Sequence, residues 1–288
     1  MLAEPGQTRP ELQEEALNTS RVWFITGAGR GFGRLFTQTA LAHGDRVVAT
    51  LRQPDLLDDL HARYNGRLHT LILDVRDRGA VFAAVGTAAE MAGRLDIVIN
   101  NAGYVLAGAV EEITEEAARQ IMDTNFFGAL WVCQAVAPHL RAQRSGHILQ
   151  MSSIAGLTGI PTQGLYAAGK FAVEGMTESL AAELEPFGIH ITLIEPGAYA
   201  TGPTGPTVKF ADFTDAYQPI RSALMEQFAD AKFGDPARVA EAILAVVNSP
   251  NPPRRLLLGS EFDMIINLYR SRLEEWAAWE QTSRAAAG

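Results

Sequence analysis

From residue 21 onward, short apolar runs alternate with stretches whose apolar residues recur every three or four positions. The runs at 22–25, 47–50, 71–73, 97–99, 147–151, 189–194 and 256–258 are nearly continuous in Val, Ile, Leu and other apolar types. Continuous runs of this length between helical patterns predict parallel strands buried on both faces. Helices are predicted from a glycine-rich turn to about residue 43, from near 55, and over 80–91. Further helices are predicted over 115–141 as one long element, over 165–185 and over 237–248. Regularity lapses between 197 and 236, and the stretch from 261 reads as an added helix. The pattern predicts an α/β fold, a doubly wound parallel sheet in three αβα layers. It forms a single domain over 21–260, with a mobile arm at 1–20 and a helical extension at 261–288.

The bulk numbers narrow the partners. The 288 residues are 47% hydrophobic and carry a net charge of −9, a balance unsuited to a nucleic-acid surface. No run reaches the roughly 18 apolar residues of a membrane span. The N-terminus lacks an apolar signal core, so the cytoplasm is the expected location. Cys133 is the single cysteine and the six histidines are scattered, so no metal site is expected.

An open doubly wound sheet binds ligand beyond the C-terminal strand ends, and the unusual residues lie there. The first run leads into Thr26-Gly27-Ala28-Gly29-Arg30-Gly31-Phe32-Gly33. Glycines at such a turn let backbone N–H groups and a helix N-terminus approach a pyrophosphate. The spacing is G-x-x-x-G-x-G; by itself it is also compatible with a ligand-free turn. An NAD site places an acid roughly 20 residues further on, at the ribose. Here the second strand ends Leu51-Arg52, with no acid before Asp55. Arg30 and Arg52 could grip a 2′-phosphate or could be ordinary surface arginines; the missing acid favours NADP(H) over NAD(H).

Tyr166 and Lys170 stand four apart on a predicted helix and so share a face, and Ser153 follows the strand ending at Met151. A phenol with a pKa near 10 needs about three units of lowering, roughly 4 kcal/mol, to work near neutrality. A lysine beside it supplies part of that. Ser153 could hold a substrate oxygen or cap a turn.

With Asp74, Asn100-Asn101-Ala102-Gly103, Asn125, Pro196-Gly197 and Thr201 added, the chain over about 21–259 resembles the short-chain dehydrogenase/reductase family. The resemblance implies a Rossmann-like fold and an oxidoreductase moving a hydride between nicotinamide and a carbonyl or secondary alcohol. It casts Tyr166 as general acid/base, Lys170 as ribose ligand and tuner, Ser153 as substrate anchor, and Asn125 as holder of a relay water. Thr26, Gly27, Arg30, Gly31, Phe32, Gly33 and Arg52 would line the cofactor. Asp74 with Val75 would meet the adenine, Asn101, Ala102 and Gly103 would line the cofactor and steady the fourth strand, and Pro196, Gly197 and Thr201 would meet the carboxamide end. The resemblance also implies a homodimer or homotetramer through the helices near 124–141 and 165–185.

The segment 198–235 is expected to be a substrate lid. Its Phe210, Phe213, Tyr217, Phe228 and Phe233 fit a bulky apolar small-molecule substrate, or else pin the lid to the body. No basic cluster points to an acidic substrate. The competing function is a non-catalytic dinucleotide sensor on the same fold.

Overall fold

The structure, a computed structural model, describes residues 20–64, 66–199, 208–229 and 233–287. The expected arm at 1–20, apart from Ser20, lies outside the described residues, as does Thr201; so does the side chain of Phe228.

A seven-stranded parallel sheet forms the centre. Its strands are β1 (Val22–Thr26), β2 (Arg46–Leu51), β3 (Leu68–Ile72), β4 (Ile97–Asn100), β6 (Gly146–Met151), β7 (Ile189–Pro196) and β9 (Arg255–Leu258), in the order β3-β2-β1-β4-β6-β7-β9. The order reverses between β1 and β4, which opens a crevice at their C-terminal ends. Successive residues of β1 face opposite layers. Val22 and Phe24 join Val48, Val98 and Ile148 under α3 (Arg78–Ala92), α5 (Gly128–Gln143) and α6 (Gly164–Leu184). Trp23 and Ile25 join Val47, Ile99 and Ile194 under α1 (Gly31–His43) and α8 (Pro236–Val247). Both faces are therefore buried, which is why these strands read as unbroken apolar runs.

Several boundaries differ from expectation. The third strand runs over Leu68–Ile72 rather than 71–73, with Leu68 paired to Val47 and Ile72 to Leu51. As an edge strand it is only partly covered, and Ile72 is 72% exposed, so pairing rather than apolarity sets its limits. Residues 58–63 form only a short α2 (Asp58–Arg63) behind a 3₁₀ turn at Pro54–Leu57. The long helix expected over 115–141 is divided into α4 (Glu115–Met122), a π turn (Asp123–Phe127) and α5. The widened turn carries the buried Asn125, whose amide is engaged by the backbone of Tyr104.

The irregular region also contains unpredicted structure. β5 (Val105–Ala107) pairs in parallel with β8 (Val208–Phe210), and α7 covers Gln218–Ala229. The C-terminal stretch forms α9 (Phe262–Ala278) and a short α10 (Glu280–Ala285). Among the described residues no helix is long and apolar enough to cross a membrane.

Candidate active site

A cleft of about 1270 Å³ opens at the crevice. Its cofactor-side wall includes Gly27, Arg30, Gly31, Phe32, Arg52, Asp74, Val75, Asn101, Ala102 and Gly103. Gly27 (φ 64°) and Gly31 (φ 52°) occupy left-handed backbone, which glycine adopts without strain. Gly33 stands behind them. A Cβ on it would lie 2.3 Å from the Gly27 carbonyl oxygen and 2.5 Å from Asn101 Nδ2. The loop thus folds tightly against α1 and presents bare backbone to the cleft, a cradle that fits a pyrophosphate.

Thr26, like Gly33, lies behind the wall rather than on it. Its Oγ1 accepts from the N–H groups of Asn101 (3.0 Å) and Ala102 (3.1 Å). Asn101 Nδ2 in turn donates to the carbonyls of Thr26 (3.0 Å) and Gly27 (3.1 Å). The ends of β1 and β4 are tied together by these four bonds, so the crevice keeps its width.

At the end of β2, Arg30 reaches Gln53 Oε1 at 3.3 Å, and both Arg30 and Arg52 are exposed. A third guanidinium, Arg76, escaped the sequence reading. It bonds the Asp74 carboxylate through Nε (3.0 and 3.1 Å) and Nη2 (2.6 Å), and so holds that carboxyl below its usual range. Its place two residues after Asp74, in the turn that follows β3, was the available signal.

The central group stands where β6, β7 and α6 meet. Lys170 is 7% exposed; its ammonium donates to the Met151 carbonyl at 2.6 Å and lies 5.7 Å from the Tyr166 ring centroid. Burial pulls Lys170 down to about 8, with Glu174 one helical turn on opposing the fall. Tyr166 is raised by burial, and its hydrogen bond with Ser153 pulls the other way. Ser153 Oγ also accepts from Ala155 N–H (3.1 Å) and donates to the Pro196 carbonyl (3.4 Å). Tyr166, Lys170, Ser153, Pro196 and Gly197 all line the cleft. Asn125 does not. It is 3% exposed, accepts from Tyr104 N–H at 3.0 Å and donates to the Tyr104 carbonyl at 2.9 Å, which steadies the turn after Gly103.

Behind the catalytic helix, Glu174, Glu178 and Glu195 share Arg255. Its Nη1 bonds Glu174 and, at 2.6 Å, Glu195, while Nη2 meets Glu178 at 2.6 Å. Glu195 is 2% exposed; burial first, then repulsion by Glu174, pushes it up to about 7. The folded chain therefore holds a proton there that the unfolded chain has released between about pH 4.5 and 7. Its contribution to stability falls as pH rises through that window and is level above it. Glu195→Gln should flatten the fall, a difference on the order of 3 kcal/mol. Urea midpoints at pH 5 and pH 8 check this, and parallel behaviour of the two proteins would refute it.

The lid side is knotted by another residue the sequence did not reveal. Glu112 accepts from Ala109 N–H (2.7 Å), Thr214 N–H (2.7 Å), Thr214 Oγ1 (3.0 Å) and Arg221 Nη1 (3.0 Å). Backbone donation from Thr214 holds its carboxyl at about 2. Of the aromatics expected in the lid, Phe210, Phe213 and Phe233 line the cleft. Tyr217 does not; its hydroxyl donates to Glu111. Lys209 and Arg221 also line the cleft, two cations of the lid side that the sequence reading did not single out.

A parallel sheet with this strand order, a glycine cradle at its switch point and a Tyr–Lys–Ser group beside it define a dinucleotide-dependent oxidoreductase. The short chain dehydrogenase family matches residues 21–210. The chain is 38% identical over 245 residues to 3-ketodihydrosphingosine reductase of Bacteroides thetaiotaomicron, covering 83% of this chain and 88% of that one. It is 36% identical over 272 residues to human 17-beta-hydroxysteroid dehydrogenase type 1, covering 88% and 81%. A crystal structure of a short-chain dehydrogenase from Streptomyces avermitilis superposes with a TM-score of 0.88 at 34% identity, covering 93% of this chain and 98% of that one. The protein belongs to the short-chain dehydrogenase/reductase family and is an oxidoreductase acting on CH–OH or C=O groups.

Proposed function

We propose that the protein is an NADP(H)-dependent ketoreductase, or hydroxy-compound dehydrogenase, for a bulky apolar carbonyl or secondary alcohol. The observation that carries this reading is the meeting of Tyr166, Ser153 and Lys170 on one wall of a cleft whose other end is a glycine cradle. The nicotinamide of the bound dinucleotide would supply or accept the hydride. In reduction, the Tyr166 phenol donates its proton to the carbonyl oxygen, which the Ser153 hydroxyl holds in reach. The Lys170 ammonium, pinned by the Met151 carbonyl, lowers the cost of the phenolate that remains. Asn125 maintains the Tyr104 turn that borders the site.

Three guanidiniums, Arg30, Arg52 and Arg76, line the cofactor end, and Arg52 has no carboxylate within ion-pair distance among the described residues. A 2′-phosphate suits such a cluster. Phe210 (67% exposed), Phe213 (48%) and Phe233 (51%) are open, which supports a role toward a substrate over one of only pinning the lid. They line the cleft with Ile160, Leu224 and Met225, which supports an apolar substrate of some size; the names of the two relatives point to lipid and steroid chemistry. A homodimer or homotetramer through α5 and α6 is part of this reading, supported by the exposed Phe127, at the end of the π turn that leads into α5, and Phe171 on α6.

The test is turnover of ketones of increasing size with NADPH and NADH in parallel, for the native chain and Arg52→Asp. The native chain should prefer NADPH and larger ketones. Arg52→Asp should lower that cofactor preference by at least about tenfold, the loss of one charge-assisted phosphate contact. An unchanged ratio would remove Arg52 from the cofactor reading.

A further inference from the structure

The last strand hands the chain back over the end of the sheet. β9 pairs with β7 so that Leu258 stands beside Pro196, and the Leu258 carbonyl accepts from the Gly197 N–H at 2.8 Å. Glu261 follows three residues later, at the entry to α9. Its backbone carbonyl accepts from Ile265 N–H at 3.0 Å, but its side chain makes no capping bond to its own helix. A capping acid would turn to the free N–H groups of that first turn. This carboxyl turns to the end of β7, where Oε1 accepts from the Ala198 N–H at 3.2 Å.

Two glycines make room for it. A Cβ on Gly197 would overlap Glu261 Oε2 and stand 2.5 Å from its Cδ, and the nearest atoms it would meet all belong to Glu261. A Cβ on Gly259 would stand 2.6 Å from the same oxygen. Oε2 is buried in this socket and has no hydrogen-bond partner among the described residues. The side chain is therefore seated by shape on one side and by a single N–H on the other.

The turn it holds borders the reacting end of the cleft. Ser153, which hydrogen-bonds with Tyr166, also donates to the Pro196 carbonyl at 3.4 Å. With a pyrophosphate in the glycine cradle, the ring that exchanges hydride must come within reach of Tyr166 and Ser153, and so against this turn. Gly197, Ala198, Glu261 and, one helical turn further on, Met264 all line the cleft. We propose that Glu261 is a positioning residue for the nicotinamide end of the dinucleotide. Seated on Gly197 and Gly259, it fixes the Pro196–Ala198 turn against which the reacting ring rests, so that the C-terminal extension completes the oxidoreductase site. The inference rests on the dinucleotide reading of the cleft, and on neither the substrate nor the choice between NADP(H) and NAD(H).

The experiment compares dissociation constants, by isothermal titration, for NADPH and for 2′-phospho-ADP-ribose, which lacks the nicotinamide. NADH and ADP-ribose are run in parallel. Glu261→Ala should weaken the whole dinucleotide by about tenfold or more and leave the fragment within about twofold, because only the ring end loses its support. Glu261→Gln keeps the length of the side chain and one oxygen for Ala198, and should hold native affinity. Equal weakening of dinucleotide and fragment, or of neither, overturns the proposal, and so does a glutamine variant as poor as alanine. Thermal melting of the native chain, Glu261→Ala, Gly197→Ala and the double variant tests the socket with no ligand present. Gly197→Ala should lower the midpoint of the native chain and cost little once residue 261 is alanine. An equal loss in both backgrounds also overturns the proposal. A native chain that binds neither dinucleotide nor fragment would end the dinucleotide reading itself, and with it the role given to Glu261.

Discussion

Tyr166→Phe should lower kcat/KM for ketone reduction by about a thousandfold while leaving dinucleotide affinity within a factor of a few. A positioned proton donor contributes typically 10²–10⁴ in rate, and phenylalanine retains the shape of the ring while removing that donor. The phenol is held protonated in the free protein by burial, which suits it to give a proton to a carbonyl oxygen. Its neighbour Lys170 is buried and tied to the Met151 carbonyl, so the ammonium stays in place when the hydroxyl is deleted. Since kcat/KM reports groups of the free enzyme, the native profile should fall as pH rises through about 8, where Lys170 loses its charge. Titration of cofactor fluorescence alongside the rates separates catalysis from binding. Retention of most of the activity in the variant would end the catalytic reading of Tyr166. Tight cofactor binding with no turnover by the native chain on any ketone would instead favour a sensor.

Gly33→Val should raise the dinucleotide dissociation constant by at least about a hundredfold, near 2.7 kcal/mol. The first side-chain carbon alone would stand 2.3 Å from the Gly27 carbonyl oxygen, and both that oxygen and Asn101 Nδ2 belong to the bonds joining β1 to β4. Either the cradle opens or α1 moves away from it, and both spoil the approach of backbone N–H groups to a pyrophosphate. Isothermal titration with NADPH measures the loss, and circular dichroism confirms that the sheet survives. Gly33→Ala, with the same first carbon and nothing beyond it, should already show most of the effect. Affinity unchanged in both variants would show that the loop does not hold the cofactor.

Much of this could be read from the chain because its causes are local. Burial of both sheet faces leaves unbroken apolar runs, so β1, β2, β4, β6 and β7 were visible as parallel strands. Four-residue spacing puts Tyr166 and Lys170 on one helix face wherever the helix lies, and the turn after β1 demands glycine at Gly27 and Gly31 whatever surrounds it. Edge strand β3 and the short β5 and β8 were misplaced or missed because partial cover leaves no such run.

The remainder depends on residues that meet only after folding. Arg221 reaches Glu112 across 109 positions, and Arg255 reaches Glu195 across 60. The π turn that divides the long helix answers to the Tyr104 backbone 21 residues earlier. Which phenylalanines face the cleft, and that Tyr217 does not, was likewise decided by packing. Periodicity and backbone conformation are properties of a few consecutive residues and so are written in the sequence; charge pairing, desolvation and the walls of a cleft are properties of distances between segments, and those distances exist only in the folded chain.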